Sequence, residues 1–171
     1  MSPNIRVATS IDAHDLTTLG ITTFVDAFAH HNTAEDMDLY VTGEMNVEKI
    51  EAELLVPDNI FFMAYVGDAL AGYAKVRSVN PPPELNGVKA LEIERLYVLK
   101  QFQNKHIGLA LLEHCISFAR SKLCSIIWLG VWEHNHGAIR FYERIGFSRF
   151  GAHGFRLGND DQTDILMKKD I

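Results

Sequence analysis

Three groups of residues stand out for their chemistry. The first is the polar run Gln103-Asn-Lys-His-Ile-Gly108, placed where a strand pattern gives way to a helical one. Ile107, Ala110, Leu111, Cys115, Phe118 and Ala119 form the apolar stripe of that helix, so its N-terminus opens at the loop. A helix N-terminus offers free backbone N–H groups and the positive end of the macrodipole, a ready site for a pyrophosphate. An ordinary strand-to-helix junction accounts for the same residues. The second group is Glu92 and Glu94 in Leu91-Glu-Ile-Glu-Arg-Leu-Tyr-Val98. Two residues apart on a strand, they share one face. They are carboxylates able to take a proton, or a salt-bridged face with Lys89 and Arg95. The third is Leu129-Gly-Val-Trp-Glu-His-Asn-His-Gly-Ala-Ile-Arg-Phe-Tyr-Glu-Arg-Ile-Gly-Phe147. It reads as a buried strand, an Asn135 N-cap, a short helix carrying Phe141 and Tyr142, and a Gly-Phe exit.

The surrounding pattern supplies the elements that hold these groups. Ile5 to Ser10 reads as a first strand running into a helix capped by Ser10 or Asp12. Leu16, Leu19, Ile21, Phe24, Val25 and Phe28 follow a helical period. Asn32-Thr33 opens a second, acidic helix with Glu35, Asp36 and Asp38, and Asn46 to Leu55 forms a third, stopped by Pro57. Ile60–Val66 and Leu70–Val76 make a hairpin about Gly67-Asp68, and Ala90–Val98 is the next strand. A helix over 107–121, a strand over 126–131, a helix over 137–144 and strands near 147–150 and 163–167 complete the chain. The expected fold is α/β, a mixed sheet with helices on both faces, in one domain spanning residues 1–171.

Composition narrows the partners. A net charge of −6 argues against nucleic acid and suits a small cationic substrate. No apolar run is long enough to span a bilayer, and Met1-Ser-Pro-Asn-Ile-Arg6 lacks the apolar stretch of a signal peptide, so no membrane partner is expected. Cys115 and Cys124 read as reduced, packed thiols of a cytoplasmic protein. His30, His31, His134 and His136 lack ligand spacing, so no metal is expected.

The run Leu96 to Leu112 and the segment Leu129 to Phe147, in this order, resemble the two halves of the acyl-CoA site of the GNAT superfamily of N-acetyltransferases. The resemblance implies a twisted, mostly antiparallel sheet splayed at its central strands. It also implies acetyl-CoA as co-substrate and direct acetyl transfer to a primary amine. The family loop reads Gln or Arg, two residues, Gly, one residue, Gly or Ala. Gln103 and Gly108 match, whereas His106 replaces the first Gly and Asn104 stands where another Gly is common. His and Asn are among the residues enriched at positive φ, so the loop can keep its shape. By the same resemblance Leu96, Tyr97, Val98, Gln103, Asn104, Lys105, His106, Ile107, Gly108, Leu109, Asn135, Ala138, Phe141 and Tyr142 contact the cofactor. Tyr142 would then protonate the departing thiolate, and Glu94 (or Glu92) would be the base. An alkyl ammonium near pKa ~10.4 needs such a base.

Over its whole length the chain further resembles the bacterial spermidine/spermine N-acetyltransferases of the Pai type. The likeness is carried by Thr22–Phe28, Leu91–Lys100, Ile127–Glu133 and His153–Lys168. It implies a polyamine acceptor, with Glu35, Asp36 and Asp38 as substrate-binding residues. A protein N-terminus or another small amine stays open as acceptor, as does a non-catalytic acetyl-CoA-binding module. The last strands could reach a second subunit, leaving monomer or homodimer.

Overall fold

The structure, a computed structural model, describes residues 2–171. A short strand β1 (Asn4–Val7) leads through a 3-10 turn into α1 (Ala13–Phe28), followed by α2 (Ala34–Glu44) and α3 (Val47–Leu54). Each of the two later helices starts on a side-chain cap. Thr33 accepts from the Asp36 N–H and Asn46 from the Lys49 N–H, satisfying donors the helix leaves unpaired. The hairpin β2 (Asn59–Val66) and β3 (Ala69–Arg77) then leads to β4 (Ala90–Val98). Helix α4 (Ile107–Ser121), β5 (Ile126–Trp132), α5 (His136–Arg144), β6 (Ser148–Leu157) and β7 (Asp160–Asp170) follow. The last two strands are twice the length that the sequence pattern predicts. Gly151, Gly154 and the leading Asp160-Asp161 hide them, because strand pairing rather than apolar alternation extends them.

The strands form one sheet in the order β1-β2-β3-β4-β5-β7-β6. Every pair is antiparallel except β4–β5, whose register runs only from Ala90↔Ile126 to Ile93↔Leu129. Beyond that point β4 stays joined to β3 as far as Gly72↔Val98, and β5 stays joined to β7 as far as Trp132↔Asp164. The two central strands therefore part from one another. A bulge sits at the parting: Lys75 pairs with Arg95 and Val76 with Ile93, so Glu94 is the extra residue. Such an insertion bends and twists its strand, and here it turns the outer half of β4 away from β5.

The sheet is covered on both faces. Leu91, Ile93, Ile127, Leu129 and Val131 pack with Leu111, Cys115 and Ile139 beneath α4 and α5. Phe61, Met63 and Tyr73 face the other way, against Leu16, Leu19 and Ile50 of α1 and α3. No helix among the described residues is long and apolar enough to cross a membrane.

Candidate active site

The gap between β4 and β5 opens into a cleft of about 910 Å³ whose walls come from β4, the 103–109 loop, α5 and α1. The loop leaves β4 through a tight turn, with the Phe102 N–H donating to the Leu99 carbonyl at 2.8 Å. Asn104 and His106 then adopt φ of 59° and 61°. The left-handed geometry that glycine ordinarily supplies is thus met by two residue types that tolerate it. His106 is the residue before α4, and its carbonyl accepts from the Ala110 N–H. Three N–H groups, of Ile107, Gly108 and Leu109, precede that first helical bond, and all three residues line the cleft. The helix thus aims free donors and its positive end into the cavity.

On the facing wall, Asn135 accepts from the Ala138 N–H at 3.1 Å and fixes the start of α5. That helix turns Ala138, Phe141 and Tyr142 into the cleft. Tyr142 is 8% exposed, wedged between Phe141 and Phe147. Burial, with the nearby Cys115 and Tyr97 adding to it, pushes its phenol well above the ordinary value. The hydroxyl therefore keeps its proton at neutral pH. Of the residues expected around the cofactor, Leu96, Val98, Gln103, Asn104, His106, Ile107, Gly108, Leu109, Asn135, Ala138, Phe141 and Tyr142 meet here. Tyr97 and Lys105 do not. Tyr97 follows strand alternation to the opposite face, edge-on to Tyr73 at 5.5 Å, and Lys105 folds its ammonium over the Phe102 ring. Lys100, Arg144 and, from α1, Thr23 and Asp26 also line the cleft. Lys100 and Arg144 lie within the two motif runs, where the pattern assigns them no role, and Thr23 and Asp26 come from α1, far from both runs in sequence.

Glu92 and Glu94 share a strand face as expected, but neither lines the cleft. They sit in a network with Glu53 of α3 and the cations Lys75, Arg77 and Arg95. Lys75, 2% exposed, bridges Glu94 and, at 3.1 Å, Glu53. Arg95 forks onto Glu53 at 2.8 and 2.9 Å, and Arg77 pairs with Glu92 and, at 3.2 Å, with Glu94. Arg95 and Lys75 hold the Glu53 carboxyl below its usual range against the opposing effect of its burial. This network ties α3, β3 and β4 together just behind the bulge.

Residues 24–147 match the Acetyltransferase (GNAT) family. The chain belongs to this family. It is an N-acetyltransferase of GNAT type, and its sheet, split at the central strands, is the fold of that family. An uncharacterized N-acetyltransferase of Lactobacillus delbrueckii subsp. lactis is 40% identical over 147 residues, 86% of this chain and 85% of that protein. The spermine/spermidine N(1)-acetyltransferase of Bacillus subtilis is 32% identical over 92 residues, 53% of this chain and 60% of its own. Among solved structures, the PaiA N-acetyltransferase of Thermoplasma acidophilum in complex with coenzyme A superposes with a TM-score of 0.83. It is 21% identical, and the match covers 100% of both chains.

Of the acidic residues expected to hold a substrate, Asp36 has bonds within the fold of this acetyltransferase. Asp36 accepts from the Asn159 N–H and the Thr33 hydroxyl, both at 2.7 Å, and so clamps α2 to the β6–β7 turn. Those bonds hold its carboxyl below the usual range. The clamp requires a glycine beside it. Gly158 has φ +60°, and a Cβ there would lie 2.6 Å from the Asp36 Cα. Glu35 and Asp38 are exposed on the outer side of α2, and none of the three lines the cleft. An isolated acidic helix face cannot be told by its sequence from a substrate groove, since both present the same carboxylates.

Proposed function

We propose that the chain, acting as one domain, acetylates a primary amine with acetyl-CoA, and that the acceptor is a polyamine such as spermidine or spermine. The observation that carries the reaction is the cleft itself: a split sheet with a helix N-terminus at one end and a buried, protonated tyrosine in its wall. The donors present fit the co-substrate. The free N–H groups of Ile107, Gly108 and Leu109, with Lys100 and Arg144, suit a pyrophosphate. The edge of β4 beyond Ile93, unpaired toward β5, suits an extended amide-bearing arm.

When bound, acetyl-CoA supplies an acetyl group activated as a thioester. The rest is the work of this chain. Backbone N–H groups at the open edge of β4 stabilise the oxyanion that forms as the amine attacks. Tyr142 gives its proton to the departing thiolate. Glu94, fixed at the bulge by its cations, takes the ammonium proton through water, since it stands off the cleft wall. The polyamine assignment is supported by the Bacillus relative and by a net charge of −6, which draws polycations. The test is thiol release from acetyl-CoA against spermidine, spermine, putrescine, lysine and short peptides. Turnover with spermidine or spermine well above the rest is the expected result. Activity confined to peptides or monoamines would discard the polyamine, and none at all would discard the reaction.

A further inference from the structure

The face of the split opposite α4 and α5 carries a carboxylate that the roles assigned so far leave unused. Val131 and Ile165 point into the core beneath α4 and α5. Their strand neighbours Trp132 and Asp164 therefore point the other way. Trp132 pairs with Asp164, and Asp164 pairs with His153, so the three stand in a row across β5, β7 and β6. The Trp132 ring packs on Phe28 at 5.3 Å and on His31 at 5.1 Å, which puts the row on the α1 side. Gly130 lies two residues before Trp132 on the same face, next to the last β4–β5 pair. A Cβ at Gly130 would lie 3.2 Å from the His153 Cε1 and 3.3 Å from an Asp164 carboxylate oxygen. Asp164 and His153 thus lean over β5 beside the split, outside the lining of the cleft, into space that a side chain would fill.

Asp26 of α1 also lacks a Lys or Arg partner but is exposed, whereas Asp164 differs from the other carboxylates held in the fold around the split. Glu53, Glu92 and Glu94 each meet a Lys or Arg within 4 Å, whereas the ionic neighbour of Asp164 is the His153 imidazole at 3.9 Å. Its side chain is only 18% exposed. Burial pushes its carboxyl up, as it does any half-buried acid without a fixed cation. Its field crosses the gap. Burial raises the Tyr97 phenol on the β4 bank, and the Glu94 and Asp164 charges add to that rise. A carboxylate of this kind gains most from a cation that arrives from outside.

We propose that Asp164 receives the acceptor's ammonium at the α1-side mouth of the split and is the residue that selects for an amine there. The inference rests on the amine-acetyltransferase reading above and names its acceptor-binding residue. The two carboxylate oxygens accept from an ammonium's N–H donors, and the opposite face of the sheet is left to the phosphate-bearing co-substrate.

The test compares the full-length protein with Asp164→Asn and Gly130→Ala, using the best amine of the thiol-release panel. Asp164→Asn should raise the KM for that amine by about tenfold or more, with the acetyl-CoA KM within about twofold. Gly130→Ala, which crowds the leaning pair, should move the amine KM in the same direction while leaving acetyl-CoA binding in place. An unchanged amine KM in Asp164→Asn would overturn the proposal. So would a rise that merely tracks lost acetyl-CoA binding and a lower Tm. If the best amine is a monoamine, the polyamine assignment falls and Asp164 is judged on that monoamine. If no amine is turned over, the reaction reading falls and calorimetric titration with spermidine decides. Heat in the wild type that Asp164→Asn abolishes supports the site, and no binding to the wild type removes it.

Discussion

Tyr142 keeps its proton because of where it is packed. Leaving the phenol buried between Phe141 and Phe147 denies water to the phenolate, so the neutral form is the one facing the cleft. Removing only the hydroxyl should therefore cost rate and spare binding. Tyr142→Phe is expected to lower kcat by roughly 10²-fold or more, the span of a lost general acid. Its acetyl-CoA Kd should stay within about threefold, as checked by stopped-flow turnover and calorimetry. A second residue-scale consequence concerns stability. The Arg6 guanidinium grips Asp12 at 2.7 and 2.9 Å, and with the Thr9 N–H it draws the carboxyl down to about 2. An unfolded aspartate titrates near ~3.9. The folded state thus binds its proton later on acidification, and the pair's stabilisation is present above that range and lost as pH falls through about 2. Melting curves should show Asp12→Asn below the wild type in Tm at pH 6, with the difference closing as pH approaches 2.

At the scale of elements, the loop before α4 and the ion network behind the bulge decide whether the cleft exists. The loop turns at His106 with a left-handed backbone. His106→Gly should leave acetyl-CoA affinity within about threefold, because glycine reaches that conformation freely. His106→Val should weaken acetyl-CoA affinity by about tenfold or more, since a β-branched residue resists positive φ and would withdraw the N–H groups. Titration of the three proteins with acetyl-CoA checks both. The network makes a different demand. Lys75→Met leaves Glu94 and Glu53 partly buried with less counter-charge. Removing one partner of a buried ion pair costs about 3 kcal/mol, so denaturant unfolding should show a loss on that order. A midpoint equal to the wild type's would mean that Arg77 and Arg95 neutralise both carboxylates unaided.

At the scale of the whole molecule, one sheet serves two chemistries by parting in its middle. The face under α4 and α5 ends in helix N–H donors and basic side chains, while on the α1 side the network carboxylates are matched by Lys75, Arg77 and Arg95 and Asp164 has no Lys or Arg partner. The two charged partners of the proposed reaction would then approach from opposite sides of the gap. With a net charge of −6, a polycation should be drawn in by the long-range field, which salt screens over about 10 Å at 0.1 M. The KM for spermidine is expected to rise several-fold between 50 and 500 mM salt, and that for a monoamine much less. Parallel salt series with both amines check this. Equal slopes would place the recognition in the local contact at the split alone.

The elements, and the residues that come to line the cleft, are legible in local sequence. Strand and helix periods, the helix starts near Thr33 and Asn46, the Asn135 cap and the two loop motifs are local, and residues within one turn of each other dictate them. That is why Asn104 and His106 could be expected to hold positive φ, and why twelve of the expected cofactor residues meet in one cleft. Tertiary structure alone decided the rest. Whether Glu94 faces the cleft or sits among cations is open until Lys75, Arg77 and Arg95 meet it from two strands, off the cleft wall, and Asp36 reads as a free carboxylate until the β6–β7 turn docks on it. Conversely Asp164, unremarkable in a run of polar residues, becomes a half-buried charge at the split only when β7 pairs with β5. Charge environment depends on contacts between distant segments, and a single chain read in order does not contain those pairings.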